Sequence, residues 1–310
     1  MDILADELAQ ARARGAVFSV LGRTAPWGLE FGGTRPLTVH LLVQGEGVLE
    51  LPDAPPIALR PRDVVLVTAG APYRLASELG ASAEPIARAR RRGSDAGEAQ
   101  AVILCGAYVL EGSIGESLLY ALPRVVVVDS ARLEPGHAAA IDLLAIEASH
   151  EGPGQQAILD RLLDVNLVYA LRAWWAQPGA QPPGWYRAGA VPGLARVLER
   201  VHADPAAAWS VPEMARVAGM SRAAFSARFT AIVGQPPARY LTALRMRRAE
   251  DALVRTAATV ARIAADAGYG NEYAFATAFR RHHGIPPGRW RVQHAEDRRR
   301  RAARSAKAQP

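Results

Sequence analysis

The chain has 310 residues, enough for two domains of ordinary size, and half of them are apolar, so a packed core is available. No apolar run reaches membrane-spanning length, the acidic, alanine-rich opening MDILADELAQARARG has no signal-peptide pattern, and the single cysteine, Cys105, excludes an internal disulfide; together these predict a cytoplasmic protein with no membrane partner. The net charge of +7 hides an asymmetry, because residues 1–183 hold 15 Arg against 21 acidic residues whereas residues 184–310 hold 22 Lys and Arg against 9.

Codon bias in GC-rich coding sequence accounts for arginine replacing lysine (Lys307 is the single lysine). It does not account for the positive excess lying in one half. A basic half joined to an acidic half predicts one polyanion-binding domain and one with a different task.

Residues 16–80 are strand-like. Val17–Leu21, Leu37–Val43, Gly47–Leu51, Ile57–Leu59, Val64–Thr68 and Tyr73–Leu75 are short β-favouring runs between Gly, Pro and Asp turns. That spacing predicts a barrel or jelly roll. Residues 84–100 are polar and basic without a period and predict a mobile loop, the Arg88–Arg92 cluster being solvated. Strands resume at Ala101–Leu110 and Val125–Val128. Residues 137–149 and 155–176 predict two helices broken at Gly152-Pro153-Gly154, the second burying Ile158, Leu159, Leu162, Val165, Val168 and Leu171. They form either a dimerisation hairpin or a cover packed on the barrel. The Pro/Gly stretch 177–185 predicts a linker.

A repeat dominates the basic half. Val211, Met214, Ala215, Ala218 and Gly219 recur 49 positions later as Val260, Ile263, Ala264, Ala267 and Gly268. After one extra residue, Phe225, Phe229, Gly234, Pro236 and Pro237 recur as Phe275, Phe279, Gly284, Pro286 and Pro287. Each copy reads as helix, glycine turn, helix, the unit that sets a helix into the major groove. In the first, Ser210-x-x-Glu213 is a capping box, Met214, Val217 and Ala218 face inward, Ser221 caps the second helix, and Phe225 and Phe229 anchor it. Its outward face is Arg222, Ala223, Ser226 and Ala227. In the second, Asn271 caps, Phe275 and Phe279 anchor, and Glu272, Tyr273, Ala274, Thr277 and Arg280 face outward beside Arg281. Between the units, Ala238–Thr256 predicts one helix of about 28 Å, close to the roughly 34 Å between successive major-groove faces. Arg245, Arg247 and Arg248 on it either neutralise phosphates or pair with Glu250 and Asp251. The tail 294–310 is basic and predicts disorder.

These residues resemble the AraC/XylS family of transcription regulators over about residues 190–291. IAADAGYGNEYAFATAFRRHHGIPPGRWR at 263–291 is similar to the family's second-unit signature, with Trp290 where Tyr is usual. The resemblance implies base-reading positions at Ala223, Ser226 and Ala227 and at Glu272, Tyr273, Ala274 and Thr277, with Ser210, Arg222, Arg247, Arg280 and Arg281 as phosphate candidates. The first set is short or apolar, so the second unit, or DNA shape, carries more of the discrimination. The strand-rich half looks like the cupin-type effector domain that precedes such units, with HLLVQGEGVLELPDAPPIALRPRDVVLVTAGAPYRL (40–75) as its first stretch and Arg-Asp where Gly-Asp is usual. Cupin enzymes hold a metal through several His and a Glu. Here His40 alone remains, with Thr38 and Tyr73 at the other positions, so neither metal nor cofactor is expected. His40, Tyr73 and Cys105 are the effector-pocket candidates.

The resulting expectation is an α+β chain. A cupin-like barrel (1–133) is followed by a helical hairpin and linker (134–183), a double helix-turn-helix domain (184–293) and a basic tail (294–310). The function implied is a non-enzymatic, effector-responsive regulator, activator or repressor, whose partners are double-stranded DNA, a small molecule, RNA polymerase and a second copy of the chain. Three rivals remain: a cupin enzyme with a DNA-binding appendage, a regulator sensing oxidants through Cys105, and a DNA-repair alkyl acceptor, which needs an activated thiolate.

Overall fold

The computed structural model describes residues 19–95, 98–108, 122–149 and 152–295. They form two compact units, 19–181 and 182–295. Val17, Phe18, Val109 and Leu110 of the expected strands lie outside the described residues, as does the tail from 296.

Among the described residues, the first unit holds ten strands: β1 (Ser19–Arg23), β2 (Gly28–Phe31), β3 (Leu37–Gln44), β4 (Gly47–Leu51), β5 (Ala54–Leu59), β6 (Val64–Thr68), β7 (Tyr73–Ala76), β8 (Glu84–Pro85), β9 (Ala101–Tyr108) and β10 (Val125–Val128). One sheet runs β1-β9-β3-β6-β10 and the other β5-β4-β7-β2-β8. Pairing is antiparallel except between β2 and the two-residue β8. The core lies between the sheets. Leu42, Val65, Val67, Ile103 and Cys105 from one pack with Leu29, Phe31, Leu49, Tyr73 and Leu75 from the other. Strand β3 is buried from Leu37 through Leu42 without alternation, because its outer face is covered as well. The cover is helical: Tyr108 donates to the Leu163 carbonyl at 2.9 Å, and a Cβ on Gly106 would stand 3.3 Å from the Leu163 side chain.

Helix α1 (Ile86–Arg92) replaces the mobile loop expected at 84–100. It is held from a distance. The fully buried Arg23 donates to the carbonyls of Ala89 (3.4 Å) and Gly93 (2.7 Å), placing a cation at the helix C-terminus. Arg92 pairs with Glu84 and Asp95, both at 2.5 Å, so the basic cluster is not merely solvated. Strand β2 was also missed, being four residues between glycine and proline breaks.

Arg62 adopts φ +71° where a glycine would be unstrained. Its guanidinium donates to the Ala138 carbonyl (3.1 Å) and to Asp142 (2.7 Å) on α2 (Pro135–Ala148), which helps hold that conformation. A hairpin joins α2 to α3 (Gln155–Trp175). The buried stripe of α3 is Leu159, Leu163, Asn166, Leu167, Ala170 and Leu171. Leu162 and Val168 are half-buried, while Ile158 and Val165, expected inside, are 46% and 43% exposed. Two apolar stripes run along this helix, and helical periodicity alone does not say which one the sheet takes.

The second unit is helical: α4 (Gly184–Gly189), α5 (Pro192–Ala203), α6 (Val211–Ala218), α7 (Arg222–Val233), α8 (Pro237–Arg255), α9 (Val260–Asp266) and α10 (Glu272–His283). The expected linker 177–185 therefore ends earlier, at the N-cap Pro183 of α4. Residues 287–295 are helical too, so helix extends two residues into the stretch expected to be tail, and His294 stacks on Trp290 at 4.1 Å.

Candidate nucleic-acid interface and effector cavity

Local chemistry builds the two helix-turn-helix units in parallel. Ser210 Oγ accepts from the Glu213 N–H (3.2 Å) and starts α6; the Glu213 carboxylate turns to Arg216 instead of completing the box. Gly219 ends α6 at φ +71°, and the Met220 N–H reaches back to the Ala215 carbonyl at 3.0 Å. In the second unit Thr259 caps α9, Gly268 has φ +75°, and the Tyr269 N–H reaches the Ala264 carbonyl at 2.9 Å. Ser221 and Asn271 cap the reading helices α7 and α10.

Burial then orients those helices. Phe225, Phe229, Phe275 and Phe279 are at most 1% exposed, with ring centroids 5.5 Å apart in the first pair and 5.6 Å in the second. Each pair sits in its own core. Helix α8 serves both, giving Tyr240, Leu241 and Leu244 to the first and Met246, Ala249 and Leu253 to the second. A 19-residue helix embedded at both ends is a stiff spacer of about 28 Å.

With the phenylalanines inside, Arg222, Ala223 and Ala227 are exposed on α7, with Ser226 half-buried. On α10, Glu272, Tyr273, Ala274, Thr277 and Arg280 are exposed, as is Arg281, and Tyr273 reaches 83%. Ser210 is exposed with its hydroxyl engaged in the cap, and Arg247 is half-buried. Two arginines of α8 reach inward to backbone carbonyls. Arg245 donates to the carbonyls of Pro205 (2.7 Å) and Ala207 (2.8 Å), and Arg248 donates to the His202 carbonyl. Glu250 lies beside His283.

In the first unit, strand register sets a polar cluster. Thr38 and His40 share a face of β3, and His40 lies directly across from Cys105 on β9. These residues and Tyr73 line a cavity of about 190 Å³, together with Phe31, Arg35, Ile86 and Arg90. Phe31 stacks on Tyr73 at 4.9 Å. Four side chains form one hydrogen-bonded chain ending on the Val67 carbonyl, whose distances are 3.3 Å (Cys105 to His40 Nδ1), 2.7 Å (His40 Nε2 to Tyr73), 2.7 Å (Tyr73 to Thr38) and 3.1 Å (Thr38 to Val67). A carbonyl only accepts, which assigns the protons. Thr38 donates to Val67, Tyr73 donates to Thr38, His40 Nε2–H donates to Tyr73, and the Cys105 thiol donates to His40 Nδ1.

Burial holds His40 neutral, with its pKa lowered to about 3 and Arg90 adding to the effect. Burial pushes the Cys105 thiol up to about 12, against the pull of Arg90 and Arg23, and raises the Tyr73 phenol. Both imidazole nitrogens are used in the chain, which leaves no lone pair for a metal. A neutral, buried thiol is the opposite of the activated thiolate that alkyl transfer needs. Arg35 and Arg90 were not singled out in the sequence. Arg90 was hidden in a cluster whose helical turn points one arginine to the cavity and its neighbours elsewhere.

Comparison with known proteins follows this division. Residues 2–176 match a family model described as Cupin, and residues 214–293 one described as Helix-turn-helix domain. The chain is 33% identical over 301 residues to an AraC-like transcription regulator of Streptomyces antibioticus, covering 94% of this chain and 98% of that one. A counterpart in Streptomyces lividans is 32% identical over 303 residues, with the same two coverages. The RCS-specific HTH-type transcriptional activator RclR of Escherichia coli is 28% identical over 277 residues, covering 88% of this chain and 90% of its own.

Proposed function

We propose, for a chain that belongs to the AraC-like family of DNA-binding transcription regulators, that α7 and α10 read two successive major grooves and that the cavity of the first unit takes the effector. The observation carrying this is the shared helix α8. Two reading helices pinned by buried phenylalanine pairs stand on one stiff spacer, each with its other face open. Glu272, Tyr273, Ala274 and Thr277 are the main base readers, Ala223, Ser226 and Ala227 read less, and Ser210, Arg222, Arg247, Arg280 and Arg281 hold phosphates.

The cavity supports a particular effector chemistry. Every proton of the Cys105–His40–Tyr73–Thr38 chain is committed, so its floor offers only lone pairs, whereas Arg35 and Arg90 supply positive charge. A small molecule with an O–H or N–H donor and an anionic group complements both. Binding there alters DNA occupancy without catalysis, and RNA polymerase is the partner such placement serves. Leu143 and Ile146 on α2 and Ile158 and Val165 on α3 are 43–57% exposed. We assign that apolar face to a second copy of the chain, which can cover it symmetrically.

The test is selection of bound DNA from a random pool by the full chain. Two recognition elements about 10 base pairs apart are expected, and Glu272→Ala with Tyr273→Ala should change the preferred bases in one of them. Recovery of unselected sequence, or an unchanged preference in the double variant, rejects the reading.

A further inference from the structure

We infer that Glu250, His282 and His283 form a binding site for a divalent transition-metal ion, of the class that prefers imidazole nitrogen. Glu250 is buried on α8, and the two histidines are the last residues of α10. One donor atom from each lies within 4.8 Å of the other two. Glu250 Oε1 stands 2.7 Å from His283 Nε2, with the side chains 5% and 10% exposed, yet neither atom makes a hydrogen bond. The oxygen is off the line along which that nitrogen would donate. A buried carboxylate oxygen left this way is costly.

The misalignment is what a shared cation requires. In a straight N–H···O bond the oxygen would occupy the place of an ion bound along the nitrogen lone pair. With the oxygen to one side, an ion about 2.0 Å from Nε2 comes within reach of Oε1. His282 is exposed, its ring centre 4.6 Å from that of His283, and its donor atom is already near enough to supply the third bond. The His283 ring is boxed between Phe279 (4.3 Å) and Trp290 (4.6 Å), which fixes its direction. The Glu250 carboxylate acts on His282 in the direction opposite to the more weakly felt Arg247 and Arg239. Two imidazoles and one carboxylate suit zinc, nickel or copper and not magnesium or calcium. The fourth position is left to water. Since the donors come from the spacer helix and the end of the second reading helix, an ion would tie the two together and tighten the second unit.

The experiment uses the full chain stripped with EDTA and titrated with Co²⁺, then Zn²⁺. Saturable uptake of about one equivalent is expected, with visible Co²⁺ absorption of a four-coordinate site that zinc abolishes. His282→Ala, His283→Gln and Glu250→Gln should each weaken binding at least about tenfold. His294→Ala should leave it unchanged. Zinc should also slow amide exchange in α10. His282→Ala keeps the test decisive even where a buried variant unfolds, because that side chain is exposed. Absence of saturable uptake, or uptake that survives His282→Ala and His283→Gln, overturns the assignment. Neither result depends on DNA selection, so this site and the regulator reading fail separately.

Discussion

Gly219 and Gly268 occupy the same place in the two repeats, with φ +71° and +75°, and by sequence their replacement by alanine should cost the same. The structure separates them. Nothing lies within 4 Å of the position a Cβ on Gly219 would take. On Gly268 it would stand 2.6 Å from the Ala206 carbonyl oxygen, 2.9 Å from the Ala206 Cα and 2.9 Å from the Arg245 guanidinium. The first two are backbone, and Arg245 is already bonded to Pro205 and Ala207 on either side of Ala206. Gly219→Ala should therefore cost only the left-handed conformation, about 1 kcal/mol. Gly268→Ala should also displace the 205–207 segment and disturb two charge-assisted hydrogen bonds worth about 1.5–3 kcal/mol each, for a total of about 3 kcal/mol or more. A chain of two units has no single unfolding free energy, so residue-resolved amide exchange is the assay. Exchange in α9 should rise more than about a hundredfold in Gly268→Ala, against about fivefold in α6 for Gly219→Ala. Equal effects would mean that only φ matters at both turns and that the contacts of Gly268 with the 205–207 segment carry no weight.

Burial lowers the pKa of His40 to about 3 and of His137 to about 4. The unfolded chain therefore binds more protons below about 6.5, and stability of the first unit should fall from there toward pH 4 by roughly 1 kcal/mol per pH unit for each histidine; a urea midpoint that stays flat over that range contradicts this. Cys105, pushed up to about 12, should resist a thiol reagent at pH 8 in the native chain and react fully once unfolded; rapid native labelling would revive the oxidant-sensing rival. Arg280→Gln and Arg281→Gln should each flatten the salt dependence of DNA affinity by about one unit of slope while leaving sequence preference unchanged. A shift in preferred bases would make these arginines readers and not phosphate contacts.

The C-terminal unit was legible because its signals are local. Caps, glycine turns and i,i+4 phenylalanines act within a dozen residues, and repetition doubled each signal. Where a distant partner decides, neighbouring residues carry no such signal. Helix α1 depends on Arg23, more than sixty positions away, accepting the role of C-terminal cation. Arg245 and Arg248 read in sequence either as phosphate ligands or as partners of Glu250 and Asp251, but the loop before α6 supplies the acceptors of Arg245 and the His202 carbonyl on α5 accepts from Arg248. Ile158 and Val165 sit on a stripe as apolar as the one the sheet covers.

Periodicity and capping are properties of neighbouring residues, so the order of a strand-rich and a helical unit and the faces of α7 and α10 are readable along the chain, whereas β2 and α1 are not. The sequence also marks His40, Tyr73 and Cys105 individually. It takes the folded chain to join those three with Thr38 in one directed hydrogen-bond chain, to bring Arg90 to the cavity, and to set Glu250 facing two histidines across α8 and α10. Those groupings depend on strand register and helix packing, which join residues tens of positions apart.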